Sequence, residues 1–232
     1  MKKYALINGK ILDGSENMTA RDAVVLVDGE KIANVLPKGD PIPNGYETID
    51  LGGKYLMPGL INMHVHLAGN GKPQKKQRDN AKLVKKIMST AVTRAIAYKL
   101  VAKFAKLELL SGVTTIRTVG GLADFDTKLR DDIKNGKKIG PRILAANRGI
   151  SVPDGHMAGS VAIAADSTEE ALRILENNEA ENVDLIKLMI TGGVLDAKEK
   201  GVPGEVKMSA DTVKAVCDEA KKNGYAVAAH VE

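Results

Sequence analysis

One cysteine in 232 residues leaves no pair to close, which excludes a disulfide framework. Aromatic residues make up 3% of the chain and tryptophan is absent, so little is available to stack on nucleic-acid bases. No window holds the roughly 18 apolar residues that a membrane-spanning helix needs. The N-terminal MKKYALINGK opens with the two lysines Lys2 and Lys3 but has no apolar stretch behind them, unlike a secretory signal. These absences point to a soluble, cytoplasmic protein with no membrane partner. What is present is core material: 44% of the residues are hydrophobic, and the length suits one large domain or a domain and a half.

Charge is unevenly spread. The 34 Lys and Arg against 29 Asp and Glu give +5, and Lys72 to Lys106 alone carries eleven basic residues against one acid, Asp79. Basic stripes bind phosphates, but Val84, Ile87, Met88, Ala91, Ala95, Val101, Ala102 and Ala105 recur here at helical spacing. The lysines therefore read as the solvated side of a packed helix, and no nucleic-acid partner is expected. Cys217 falls on the stripe Val213, Val216, Cys217, Ala220, a position for a small buried hydrophobe rather than a nucleophile.

Residues 2 to 51 contain short β-branched or alternating runs broken by Gly, Asp, Pro and Asn, which predicts a small antiparallel sheet. Within it, Asp28-Gly29 between VLV and EKIANVL is a tight-hairpin signal. After Lys54 the pattern becomes strand, helix, strand, helix, the sequence form of a parallel α/β domain. Strands are expected near 59–67, 113–119, 142–148, 183–190 and 226–231. Helices are expected near 80–111, 122–135, 168–177 and 210–223. Ser167 with Glu170 has capping-box spacing, Ser209 is placed to cap the last helix, and Gly112, Gly136 and Gly224 stand where helices should stop.

Three anomalies carry chemistry. In GLINMHVHL, His64 and His66 project from one side of a strand while Met63, Val65 and Leu67 take the other. That pair is either a two-imidazole metal grip or two histidines a core has tolerated. In VDLIKLMITGG, Lys187 interrupts a run that reads as a fully buried parallel strand. Either it snorkels to the strand end, or burial leaves a neutral amine able to take up carbon dioxide as a carbamate that bridges two metal ions. Gly192 and Gly193 then permit a tight loop. In YAVAAHVE, His230 ends a small-residue strand, as a satisfied core residue or as a further ligand. Consecutive α/β units bring all four to the same sheet end, which favours a two-metal site. Arg148 and His156, in the Gly-rich stretch NRGISVPDGHMAG, either contact substrate, the arginine through a carboxylate, or are plain loop residues.

PGLINMHVH, DLIKLMITGG and AAHVE, with GVTTIRTVGG and GPRILAANRGIS, resemble the amidohydrolase superfamily. The closer similarity is to the branch of imidazolonepropionase-like proteins and Xaa-Pro dipeptidases, and it covers essentially the whole chain. The resemblance implies an N-terminal β-sandwich-like domain, residues 1–56, and a metal-dependent-hydrolase barrel of the TIM type over 57–232, incomplete at about five β/α units. It further implies His64 and His66 as ligands of the more buried metal, Lys187 as the carbamylated bridge and His230 as first histidine of the second metal. Up to two divalent ions, zinc by preference, would supply an activated hydroxide that attacks a small-molecule substrate, a dipeptide or a cyclic amide. Lys187 and His230 would be the catalytic pair.

Two departures accompany the resemblance. Thr118 stands where the branch commonly has aspartate, so a hydrogen bond or salt bridge is expected to be lost there. A full barrel takes about 250 residues, and the family's ligands on strands six and eight find no counterpart. The expectation is a chain with little turnover alone, whose open sheet edge favours homo-oligomers. The alternative is a non-catalytic metal-binding or assembly protein built on a half barrel.

Overall fold

The computed structural model describes residues 2–69, 71, 79–193 and 204–232, and the chain divides into two compact units, Met1–Gly59 and Leu60–Glu232. In the first unit, strands β1 (Lys3–Ile11), β2 (Arg21–Asp28) and β3 (Lys31–Pro37) form an antiparallel sheet. The β2–β3 turn lies at Gly29-Glu30, where Gly29 takes φ 60°, a left-handed conformation that costs glycine little. Strands β4 (Glu47–Asp50) and β5 (Tyr55–Leu56) also join β1, but in parallel. The sheet is therefore mixed, not purely antiparallel as expected. The turn-rich segment 38–46 carries the chain from β3 across to the opposite edge, so β4 enters in the same direction as β1. Strand β2 is apolar on both faces: Val24 and Leu26 pack with Ala5, while Ala23 and Val25 pack with Ile11.

The second unit begins with β6 (Leu60–Val65), α1 (Asn80–Met88), α2 (Ala91–Leu110), β7 (Val113–Thr118), α3 (Phe125–Lys134) and β8 (Arg142–Leu144). It continues through β9 (Gly149–Ser151), β10 (Ala162–Ala164), α4 (Thr168–Ala180), β11 (Leu185–Met189), α5 (Ala210–Lys222) and β12 (Ala226–His230). The single basic helix expected over 80–111 is two helices. Asp79 accepts from Lys82 N to start α1, and Thr90 accepts from Thr93 N to start α2. Competition from such short polar side chains for the backbone favours a cap over continuation. Residues 72–78 of the basic segment lie outside the described residues.

Other punctuation is as read from sequence. The Ser167 and Ser209 hydroxyls cap α4 and α5, and Gly112, Gly136 and Gly224 follow helix ends at positive φ. The Glu170 carboxylate reaches back past the cap and accepts from Asp166 N at 2.8 Å, one residue before the N–H that a capping box would use.

Parallel strands form two sheets, β6-β7-β8 and β10-β9-β11-β12. The third expected strand is therefore short, and two small strands were missed. Between the sheets, Asp184 takes over the ladder: its N–H donates to Ala145 O at 2.7 Å while its carboxylate accepts from Ala145 N at 2.8 Å. Asn147, at φ 52° and fully buried, ends β8's line and ties α3 to α4. Its Oδ1 accepts from Thr127 N, and its Nδ2 donates to Thr127 Oγ1 and Glu181 Oε2.

The helix-facing side chains make two cores. Val65, Leu67 and Ile116 pack with Ala97, Val101 and Ala105 of α2 and Leu129 of α3. Ile186 and Leu188 pack with Leu175 of α4 and Val216 of α5. Because neighbours on a strand point to opposite faces, His64, His66, Arg117 and Lys187 are turned to the side away from the helices. Among the described residues no helix is long and apolar enough to cross a membrane.

Candidate active site

His64 and His66 share one face of β6 and its continuation, and their Nε2 atoms are 3.2 Å apart. The Nδ1 of His66 lies 3.0 Å from the carbonyl oxygen of Gly120. A carbonyl only accepts, so Nδ1 carries the proton and Nε2 keeps its lone pair. The His64–His66 contact is then a donation from His64 Nε2–H to His66 Nε2. Two nitrogens about 2.0–2.1 Å from one tetrahedral ion stand about 3.3 Å apart, so the pair fits one edge of a metal site after His64 loses that proton. A groove of about 450 Å³ runs beside the pair, with Asn62, Phe104, Leu107 and Glu108 on its walls.

Lys187 sits on β11 at 1% exposure, with its stem along Gly149, where an added Cβ would lie 3.3 Å from Cγ. Among the described residues no carboxylate pairs with it. Burial first, and the charge of Arg117 second, lower its ammonium to about 8. A neutral amine is thus within reach of physiological pH, which suits the carbamate chemistry expected of this lysine.

His230 lies on β12, opposite Met189 and two residues beyond the Ala228 that faces Lys187. Its Nε2 is 3.2 Å from Gly192 O, so Nε2 donates and Nδ1 is left with the lone pair. The His156 ring stacks on it at 4.0 Å between centroids and 9° from parallel. Gly193 lies against both: an added Cβ would fall 2.4 Å from His156 Nδ1 and 3.1 Å from His230 Nε2. Gly193 is therefore what allows the two rings to approach the loop.

Electrostatics couple the group. Burial is the main force holding His64, His66 and His230 below the usual histidine range, and the charge of Lys187 adds to it in all three. The Gly120 and Gly192 carbonyls pull His66 and His230 the other way.

The structure thus brings together His64, His66, Lys187, His230 and His156 from separate segments. It does not bring Arg148 to them. That guanidinium pairs with Glu181 at the end of α4, 2.8 Å from Nη2 to Oε1, and Asn178 Nδ2 donates to its backbone carbonyl. The arginine that faces the site is Arg117 on β7, whose Nε donates to Met63 O at 2.8 Å and whose charge acts on His64 and Lys187. Its signal was legible, since a charge inside VTTIRT is the same anomaly that singled out Lys187. No cluster of three or more His, Cys, Asp or Glu poised around one ion occurs among the described residues; the lysine must contribute to any larger donor set.

The hydrogen bond expected to be missing at Thr118 is made. Thr118 is fully buried, its hydroxyl accepts from Ala146 N at 3.4 Å, and it stands beside the Asp126 carboxyl, whose charged form it favours. The aspartate is supplied by the first turn of α3 rather than by the strand.

Known proteins resemble this chain in sequence and fold. A dihydroorotase of Trichlorobacter lovleyi is 41% identical over 63 residues, 27% of this chain and 14% of that enzyme. A candidate prolidase from Bifidobacterium longum superposes with a TM-score of 0.75 at 33% identity, over 99% of this chain and 49% of its own length. A Xaa-Pro dipeptidase with methionine bound in its active site gives 0.76 at 28% identity, over 99% and 57%. This chain spans about half the length of the solved structures it matches. The sequence model of the amidohydrolase family matches residues 55–232, through the strands that carry His64, His66, Lys187 and His230, and the chain belongs to that family.

Proposed function

We propose that this chain carries the metal-binding half of a hydrolase acting on an amide-type C–N bond of a small molecule, a dipeptide or a cyclic amide. The observation that carries the reading is the 3.2 Å spacing of the His64 and His66 Nε2 atoms beside a buried lysine without a carboxylate partner among the described residues. His64 and His66 would hold one divalent ion through Nε2. Lys187, as a carbamate, and His230, through Nδ1, would hold a second. Bound metal of this kind acidifies water and polarises a carbonyl oxygen.

The chain's own part is to prepare the donors. The Gly120 carbonyl fixes the His66 tautomer, and Gly192 fixes that of His230. Burial lowers the Lys187 ammonium to about 8, so the neutral fraction of its amine nitrogen can form a bond to the carbon of carbon dioxide while releasing a proton. Arg117 then stands as counter-charge to the resulting anion. Zinc suits two imidazoles and a carbamate oxygen. Similarity to dihydroorotase and Xaa-Pro dipeptidase supports the substrate class.

The test is metal content of the purified protein, with hydrolysis of dipeptides and of a cyclic amide followed with and without added zinc and bicarbonate. Zinc bound by the wild type and lost on His64→Ala or His66→Ala supports the proposal. Equal metal content in all three sinks it. A second reading, a non-catalytic metal-binding or assembly protein, is favoured by the exposed apolar side chains Leu60, Ile61 and Met63 on edge strand β6. Stoichiometric zinc in a stable oligomer without turnover would select it.

A further inference from the structure

Behind the His66 contact lies a carboxyl that the proposed chemistry does not use. Asp126 is 1% exposed, and its Oδ2 has no hydrogen-bond partner among the described residues. Leaving a buried carboxylate oxygen unpaired is costly, so its position calls for a physical reason. The carboxyl reaches from α3 to two places: the Thr118 hydroxyl at the end of β7 and the α-carbon of Gly121, where an added Cβ would come within 2.3 Å of Oδ2.

Between those two points lies the turn Val119-Gly120-Gly121. Val119 N donates to Val65 O, and Gly121 N donates to Asn147 O at 2.7 Å. The remaining freedom is at Gly120, which sits at φ 140° and lies so close to His66 that an added Cβ would be 3.1 Å from its ring. The carbonyl that accepts from His66 belongs to this residue. The turn is thus held between an imidazole on one side and a buried carboxyl on the other.

We propose that Asp126 is a positioning residue that braces the Gly120-Gly121 turn, so that the Gly120 carbonyl fixes His66 in the Nδ1–H tautomer with Nε2 open to a metal ion. The metal part of this inference rests on the reading of His66 as a ligand; the tautomer part does not. Asp126 acts through shape, by its contact with Gly121 and its place beside the Thr118 hydroxyl. Removing the carboxyl lets the turn relax toward the vacated space, which lengthens the His66–Gly120 contact and frees the ring to exchange tautomers.

The experiment uses the metal-free 232-residue protein and long-range proton–nitrogen NMR of its histidine rings, followed by zinc titration. Wild type should show His66 protonated at Nδ1. Asp126→Ala should bring in the Nε2–H form and weaken zinc binding by about 10–100-fold, the usual effect of disturbing a ligand's hydrogen-bond partner. Asp126→Asn, which keeps the volume and the acceptor for Thr118, should retain the wild-type tautomer. If Asp126→Ala does not fold, Thr118→Val, nearly isosteric and lacking the anchoring hydroxyl, should give the same tautomer change. A folded Asp126→Ala or Thr118→Val protein with an unchanged His66 tautomer overturns the proposal. A wild type that takes up no zinc refutes the metal reading alone, because the tautomer comparison still decides the brace.

Discussion

The ring of His156 lies flat against that of His230, 4.0 Å between centroids, and both rest on Gly193 in the loop after β11, which has no side chain to obstruct them. Replacing Gly193 by alanine places a methyl group 2.4 Å from His156 Nδ1. The rings or the loop must shift, and overpacking of this kind costs about 1–3 kcal/mol. The expected outcome is a lower melting temperature together with loss of the His156–His230 stacking in the ring proton shifts. A variant with wild-type stability and shifts would show that the loop yields freely.

Lys187 should make the protein more stable as alkali is added. Its folded value is near 8 against 10.5 for the free side chain, so between those values the unfolded chain binds a proton that the folded chain does not. Stability rises with pH across that window. Below about pH 8 the full penalty applies, on the order of 3 kcal/mol for a shift of this size. Lys187→Met, similar in bulk and uncharged, should be stabilised near pH 7 and should lose the rise between pH 8 and 10.5 in denaturant melts.

The same amine should trap carbon dioxide. Protein equilibrated with 13C-labelled bicarbonate is expected to give a carbamate resonance that grows as pH passes about 8 and is absent in Lys187→Met. Arg117→Gln should shift that onset upward, since the arginine charge helps hold Lys187 low. An unchanged onset would mean that burial alone sets it.

Asp126 predicts the opposite pH trend. Burial lifts its carboxyl to about 6 from 3.8, so between those values the folded chain binds the extra proton and stability falls as pH rises. Above pH 6 the charged group costs on the order of 2–3 kcal/mol. Asp126→Asn should therefore be more stable than wild type at pH 8 and closer to it at pH 4, by urea unfolding at both values. A residue that costs stability where it stands, yet braces the turn beside His66, is what a positioning role looks like energetically.

Zinc should survive mild acid. His64, His66 and His230 are all held below 6.5 by burial and by neighbouring positive charge, so protons compete less well for their lone pairs. The midpoint of zinc release on acidification is expected below pH 6.5, and a midpoint above it would contradict neutral, buried imidazoles. His64→Ala should weaken binding by more than the roughly 10–100-fold that loss of a ligand's hydrogen-bond partner costs.

Much of this was local and therefore legible. Alternation put His64 and His66 on one face, an apolar run made Lys187 an anomaly, and serines set where α4 and α5 begin and Gly224 where α5 ends. Those signals depend on backbone periodicity and short-range hydrogen bonds, which neighbouring residues dictate. The site's finer features do not. Arg148 was expected at substrate, yet Glu181, 33 residues away, holds it. Thr118 was expected to lack a partner, yet α3 folds Asp126 onto it. Sequence by itself determined which strands carry the donors and on which face. Only the tertiary structure decided which donor nitrogen keeps its lone pair, which arginine faces the lysine and which carboxyl stands behind the turn, because each depends on groups that packing brings together from distant parts of the chain.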